Sequence, residues 1–156
     1  MLEGKVGIIT GATNGIGART AELFVAEGAA VVFTGRRRRE GEALATRLGK
    51  AARFVEADAA LEEHWARVLN AAEACGGSLD YLFNNAGGPP PTGSITSIPV
   101  AGFDAAMALL VRSVMLGMKR AVPIMIRQRS GSIINNGSIA GHRAGYSTST
   151  ARPRPR

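Results

Sequence analysis

The 156-residue chain holds a single cysteine, Cys75, so it can form no intrachain disulfide and no cysteine-built metal cluster. No metal is expected, Cys75 is expected to pack between helices, and a reducing cytoplasm suits the chain. Aromatic residues are only 5% of the sequence, which leaves no stacking surface interleaved with positive charge for nucleic acid. Acids are the scarcer sign, with 12 Asp and Glu against 19 Lys and Arg. Four of those bases are the run Arg36 to Arg39, and three more are Arg152, Arg154 and Arg156. Without these seven the charges balance, so the basicity is local and no nucleic-acid partner is expected. No unbroken run reaches the roughly 18 apolar residues of a membrane span, and no basic leader precedes an apolar segment. Neither membrane insertion nor secretion is expected.

What is present is a chain of one-domain length with 46% hydrophobic residues, enough for a substantial core. Apolar, β-branched runs at Val6 to Ile9, Ala30 to Thr34, Arg53 to Ala57, Leu79 to Phe83 and Ser132 to Asn135 read as five strands. Between them lie helical patterns: Ile16 to Gly28, Arg39 to Leu48, Leu61 to Ala74, and a long one from Phe103 to Met125. Parallel strands need crossovers, which helices supply, so this alternation predicts a doubly wound α/β fold with helices on both faces. The domain is expected over residues 1–148, with 149–156 an irregular Arg/Pro tail.

Directly after the first strand stands Thr10-Gly11-Ala12-Thr13-Asn14-Gly15-Ile16-Gly17. Glycines let the backbone bend and approach a ligand closely, and the following helix directs free N–H groups and its positive dipole end at an anion. A pyrophosphate is the expected ligand. Asn84-Asn85-Ala86-Gly87 ends the fourth strand, and Ile134-Asn135-Asn136-Gly137-Ser138-Ile139-Ala140-Gly141 stands at the end of the fifth. All three segments fall at carboxyl ends of strands, where open α/β sheets bind ligands.

Together these three ordered motifs resemble the short-chain dehydrogenase/reductase family from Lys5 to about Tyr146. The resemblance implies a Rossmann-type fold, here with five of its strands, and hydride transfer between NAD or NADP and a small-molecule alcohol or carbonyl. It implies that Gly11, Thr13, Asn14, Gly15, Ile16 and Gly17 border the pyrophosphate, that Asp58 meets the adenine, and that Asn85, Ala86 and Gly87 flank the ribose. Ser138 would be the catalytic serine that hydrogen-bonds the substrate oxygen. It also implies that full-length relatives form homo-oligomers. At the end of the second strand, Thr34-Gly35-Arg36-Arg37 offers no carboxylate for a ribose 2′-hydroxyl and an arginine for a 2′-phosphate. NADP is therefore expected over NAD, with Arg36 as its contact.

Two departures stand out. Reduction of a carbonyl requires a proton donor, and a tyrosine of pKa about 10 needs a nearby cation to serve at neutral pH. The family uses Tyr-x-x-x-Lys about a dozen residues beyond the serine, but here Tyr146 is too close to Ser138, Thr150 stands four residues after it, and no lysine follows Lys119. Leu110 occupies the place of a helix asparagine, and its position in an apolar stripe predicts a core residue. The sequence thus leaves open a second reading, a non-catalytic dinucleotide-binding remnant or interaction module. One permitted coding of residues 149–156, read from its third base, gives Tyr-Gly-Ala-Ala-Lys-Ala-Ala, so a frameshift in the gene or its sequencing is expected. Resequencing across codon 149 tests this: Tyr and Lys codons spaced by four in the alternative frame support it, and their absence removes it.

Overall fold

A computed structural model describes residues 1–89 and 91–138. Its strands are β1 (Val6–Ile9), β2 (Ala30–Gly35), β3 (Ala52–Glu56), β4 (Tyr81–Asn84) and β5 (Ser132–Asn135), in the sheet order β3-β2-β1-β4-β5. Every neighbouring pair is parallel. The strands lie where the sequence predicts them, with limits displaced by at most two residues. Helices α1 (Gly15–Ala26), α2 (Arg38–Leu48) and α3 (Trp65–Glu73) make the first three crossovers.

Alternation along each strand sends side chains to two separate cores. Val6, Ile8, Val32 and Leu82 point to one face, where Trp65, Val68, Leu116, Ala121 and Met125 cover them. Ile9, Val31, Phe33, Tyr81 and Phe83 point to the other, beneath Ala21 and Leu44. Trp65, fully buried, donates its Nε1–H to the Ala59 carbonyl at 3.0 Å, so its polar edge is satisfied inside the first core. Cys75 packs half-buried against that same core, as expected.

At the amino edge of the sheet, Asp80 binds three groups at once. Its carboxylate accepts the Val6 N–H at 2.9 Å, the Lys5 ammonium at 2.9 Å and the Ser78 hydroxyl at 3.0 Å. Burial opposes ionisation of this carboxyl, but the Val6, Lys5 and Ser78 bonds outweigh it and hold the pKa below the ordinary aspartate value. Beside it, burial and then the Asp80 charge push the Tyr81 phenol well above its usual range.

The long helix differs from expectation in two ways. It is continuous from Val100 to Gln128 but changes geometry, with α4 (Val100–Met107), a π-helical turn (Ala108–Arg112) and α5 (Ser113–Gln128). Within that turn Leu110 is 42% exposed, so it is not the core residue its spacing predicted. Periodicity reports a stripe, and here Phe103, Met107, Val111 and Met118 of that stripe are also exposed. The buried face is instead Ser113, Leu116, Gly117, Ala121 and Met125. With a mean hydropathy of 1.6 over an 18-residue window, this helix is long and apolar enough to cross a membrane by length and composition alone, although Asp104, Arg112, Lys119, Arg120 and Arg127 interrupt its apolar run. Its buried side packs on β4 and α3 as a covering layer.

Gly117 sets how closely that layer sits. A Cβ there would lie 2.5 Å from Asn84 Oδ1 and 3.0 Å from the Trp65 ring. Gly117→Ala gains about 1 kcal/mol of helix propensity but forces an overpacked contact costing about 1–3 kcal/mol. A net loss of stability is expected in urea unfolding. Asp80→Ala is expected to lose about 2 kcal/mol at pH 7, the scale of hydrogen bonds to a charged group. Because the folded pKa is lowered, the ionic share of that stability is present above the unfolded value of about 3.9 and vanishes as pH falls through the folded one. The gap between Asp80→Ala and the unaltered protein should therefore narrow between pH 7 and pH 3 in the same unfolding assay.

Candidate functional site

β1 and β4 are adjacent strands whose connections leave in opposite directions, so the sheet order reverses between them and a crevice opens at their carboxyl ends. Thr10, only 2% exposed, closes the floor of this crevice. Its hydroxyl oxygen accepts the backbone N–H groups of Asn85 and Ala86, each at 3.0 Å. In return the Asn85 amide donates to the carbonyls of Thr10 and Gly11, at 3.1 and 3.2 Å. On the other side the Ala12 N–H donates to the Thr34 carbonyl at 2.8 Å, so the glycine turn is strapped to both β4 and β2.

The three glycines serve different ends. Gly11 has φ of 65° and a Cβ there would lie 2.5 Å from the Ala86 Cα, while one on Gly17 would lie 2.8 Å from the Ala12 Cα. Both positions are closed to any side chain by backbone. Gly15 also has positive φ, 56°, but faces space with nothing within 4 Å. Asn14, the residue before α1, makes no capping bond with its side chain, and the first turn of α1 carries no acid. The amino end of α1 is thus left with its positive field uncompensated beside the open face of Gly15. Ile16 lies exposed on this turn.

A second wall comes from the end of β2 and the segment after β3. Thr34 and Gly35 are buried and Arg36 to Arg39 are exposed. Arg37, not Arg36, reaches back to the glycine turn, donating from Nε and Nη2 to Thr13 Oγ1, both at 3.2 Å. Arg36 lies 3.9 Å from Asp58 Oδ2, and Arg38 pairs with Glu56 at 2.7 Å. Asp58 is held by the Ala60 N–H on its carboxylate, at 2.9 Å, and by its own N–H on His64 Nδ1, at 3.0 Å. A crevice of about 110 Å³ is lined by Gly11, Thr13, Asn14, Arg36, Arg37, Asp58, Ala86, Gly87 and Leu109. Seven of the residues singled out in the sequence line it. Gly15, Ile16, Gly17 and Asn85 stand behind or beside it. A wider cleft of about 460 Å³ continues past Arg36 and Asp58 to Pro89, Pro91 and Arg112.

The third motif adjoins from β5. Asn84 Nδ2 donates to Asn135 Oδ1 at 2.8 Å, and Asn136 Nδ2 donates to Asn85 Oδ1 at 3.0 Å. One side-chain rung therefore lies at the last β4–β5 pair and the other one residue beyond it, and Ser138 follows on the same edge, exposed. Leu110 stands over Gly87, where it can offer no hydrogen bond. Pro90, Ile139 to Gly141, His142, Tyr146, Thr150 and the Arg/Pro tail lie outside the described residues.

Thr10, Arg37 and Asn136 were not singled out as site residues by the sequence. A threonine ending a buried strand immediately before a glycine is a polar group obliged to find a partner, which is a usable signal. Which arginine of a run of four turns inward depends on the first turn of α2 and leaves no mark in the sequence.

The profile of the short chain dehydrogenase family matches residues 5–151. Among characterised proteins, the chain is 38% identical to tropinone reductase-like 2 of Erythroxylum coca over 149 residues, covering 94% of this chain and 54% of that protein. It is 34% identical to 3-beta-hydroxysteroid dehydrogenase of Comamonas testosteroni over 155 residues, covering 96% and 60%. A crystal structure assigned as a betaketoacyl-ACP reductase superposes with a TM-score of 0.84 at 38% identity, covering 96% of this chain and 60% of that one. The chain thus spans between half and two thirds of the length of these relatives. A family match over nearly its full length, on a parallel sheet that gathers all three motifs at one edge, shows that this chain belongs to the short chain dehydrogenase family.

Proposed function

We propose that this chain binds NADP(H) in the crevice at the carboxyl ends of β1, β2 and β4, as an oxidoreductase acting between the alcohol and carbonyl forms of a small-molecule substrate. The observation that carries the reading is the wall opposite Gly15: no carboxylate follows β2, and Arg37 crosses to Thr13 while Arg36 flanks the same crevice. A free ribose 2′-hydroxyl calls for a carboxylate acceptor there, and a 2′-phosphate calls for arginine. NAD is the alternative cofactor. The residues fit a dinucleotide, because the cradle at Gly15 is space a side chain would fill, backed by Gly11 and Gly17 packed on backbone.

When bound, the nicotinamide supplies the hydride. The chain's own part is to bind and orient. Gly11, Thr13, Asn14, Gly15, Ile16 and Gly17 receive the pyrophosphate at the amino end of α1. Arg37 and Arg36 hold the 2′-phosphate, Asp58 accepts from the adenine amine, and Asn85, Ala86 and Gly87 border the ribose. Ser138 holds the substrate oxygen. The binding unit is residues 1–148.

The proton donor decides between catalysis and binding alone. General acid–base catalysis contributes about a hundred- to ten-thousand-fold, and Thr150 stands where the lysine partner of Tyr146 would be. This favours a second reading for the chain as written, a nucleotide-binding module without turnover.

Titration with NADPH and NADH, followed by nicotinamide fluorescence, is expected to show binding of both with NADPH the tighter. Arg37→Ala should weaken NADPH by about ten- to a hundredfold, the scale of a charge-assisted hydrogen bond, and leave NADH within about threefold. Equal affinities in the unaltered protein overturn the NADP preference, and failure to bind either overturns the dinucleotide reading. A carbonyl-reduction assay with NADPH then separates an enzyme from a binding module.

A further inference from the structure

We infer that Asn136 is a positioning residue, which ties the segment carrying Ser138 to the glycine turn through the Asn85 amide and can do so only as a hydrogen-bond donor. The consequence for cofactor affinity rests on the dinucleotide reading above; the linkage itself does not.

The polarity follows from Asn85. An asparagine amide has two N–H donors and one oxygen. The Nδ2 donates to the carbonyls of Thr10 and Gly11, at 3.1 and 3.2 Å. Turning the amide over would set Oδ1 against those two carbonyl oxygens, so its orientation is fixed from the β1 side. Oδ1 must then face away from the turn, and it meets Asn136 Nδ2 at 3.0 Å. Whatever stands at position 136 has to donate.

Both ends of this chain of bonds are anchored. The Asn136 backbone N–H donates to the Asn84 carbonyl at 2.9 Å, one residue past the last β4–β5 pair, Asn84 with Asn135. Gly11 has no room to move further toward β4, since a Cβ on it would sit 2.5 Å from the Ala86 Cα. A shift of the 136–138 segment is therefore passed through Asn85 to the Thr10 and Gly11 carbonyls. The turn proposed to cradle the pyrophosphate and the serine proposed to hold the substrate oxygen are set at a fixed separation by one side chain.

The test compares Asn136→Ala with Asn136→Asp in the full chain without cofactor, by amide hydrogen exchange. The amides of Ala12 and Ala86, bonded to the Thr34 carbonyl and the Thr10 hydroxyl, report on the turn, and Val31 and Val32, buried on the interior strand β2, serve as references. Asn136→Ala is expected to speed exchange at Ala12 and Ala86 about five- to tenfold, the scale of one lost hydrogen bond. Asn136→Asp should speed it further, since at pH 7.5 the carboxylate opposes Asn85 Oδ1. A space-filling role predicts the reverse order, because Asp keeps the volume of Asn and Ala does not. Unchanged exchange in both variants, or Asp milder than Ala, overturns the inference. Calorimetric titration with NADP⁺ should rank the affinities in the same order, unaltered protein tightest and Asn136→Asp weakest. If the unaltered protein does not bind NADP⁺, the dinucleotide reading fails while the exchange order still decides the linkage.

Discussion

Everything at the site depends on the reciprocal bonding of Thr10 and Asn85 across the point where the sheet order reverses. Two parallel strands whose chains leave in opposite directions part at their carboxyl ends, and the gap exposes backbone groups that the ladder no longer pairs. Thr10 supplies one oxygen for two amides, and Asn85 supplies two donors for two carbonyls. These backbone groups of the crevice floor thus find partners within the protein. Burial makes the arrangement strict, because an unpaired polar group at this depth costs about 1–3 kcal/mol. The glycine turn, the wall from β2 and the rungs to β5 all take their position from that floor.

The fold was legible because parallel strands buried on both faces read as short apolar runs, and because glycines mark the ends of their helices. The three ordered motifs, each at the carboxyl end of a strand, mark the crevice at one edge of the sheet. What stayed hidden was directional. Arg36 and Arg37 are adjacent arginines with the same chemistry, yet Arg37 reaches Thr13 while Arg36 turns toward Asp58. Leu110 kept its place in the apolar stripe, yet a π-helical turn rotates that stretch relative to α5 and leaves it 42% exposed. A period of three or four residues says that a helix has an apolar face. It does not say that the face is covered.

The side-chain rungs between β4 and β5 reinforce the sheet where its backbone pairing runs out. Asn84 to Asn135 and Asn136 to Asn85 are polar contacts in a row, and each demands a particular donor and acceptor. Hydrophobic packing would tolerate exchange among residues of similar size, whereas these pairs fix geometry as well as proximity. The same contrast separates the two ends of the sheet. At the amino edge Asp80 gathers Lys5, Val6 and Ser78 for stability, with a charge that could be traded for other contacts. At the carboxyl edge neutral amides are arranged around an opening.

The strand order also sets a schedule for the chain during its synthesis. β1 is made first yet lies in the middle, and its second neighbour, β4, begins at Tyr81. Between Ile9 and its partner Phe83 lie enough residues that translation at about 5–20 residues per second leaves roughly 4–15 s in which one edge of β1 has no partner. Once β2 has been made, the β4-facing edge of β1 still has no partner until Tyr81 to Phe83 are synthesised. A chaperone, or the ribosome surface itself, would meet Val6 to Ile9 as a sticky edge rather than as the floor of a binding site.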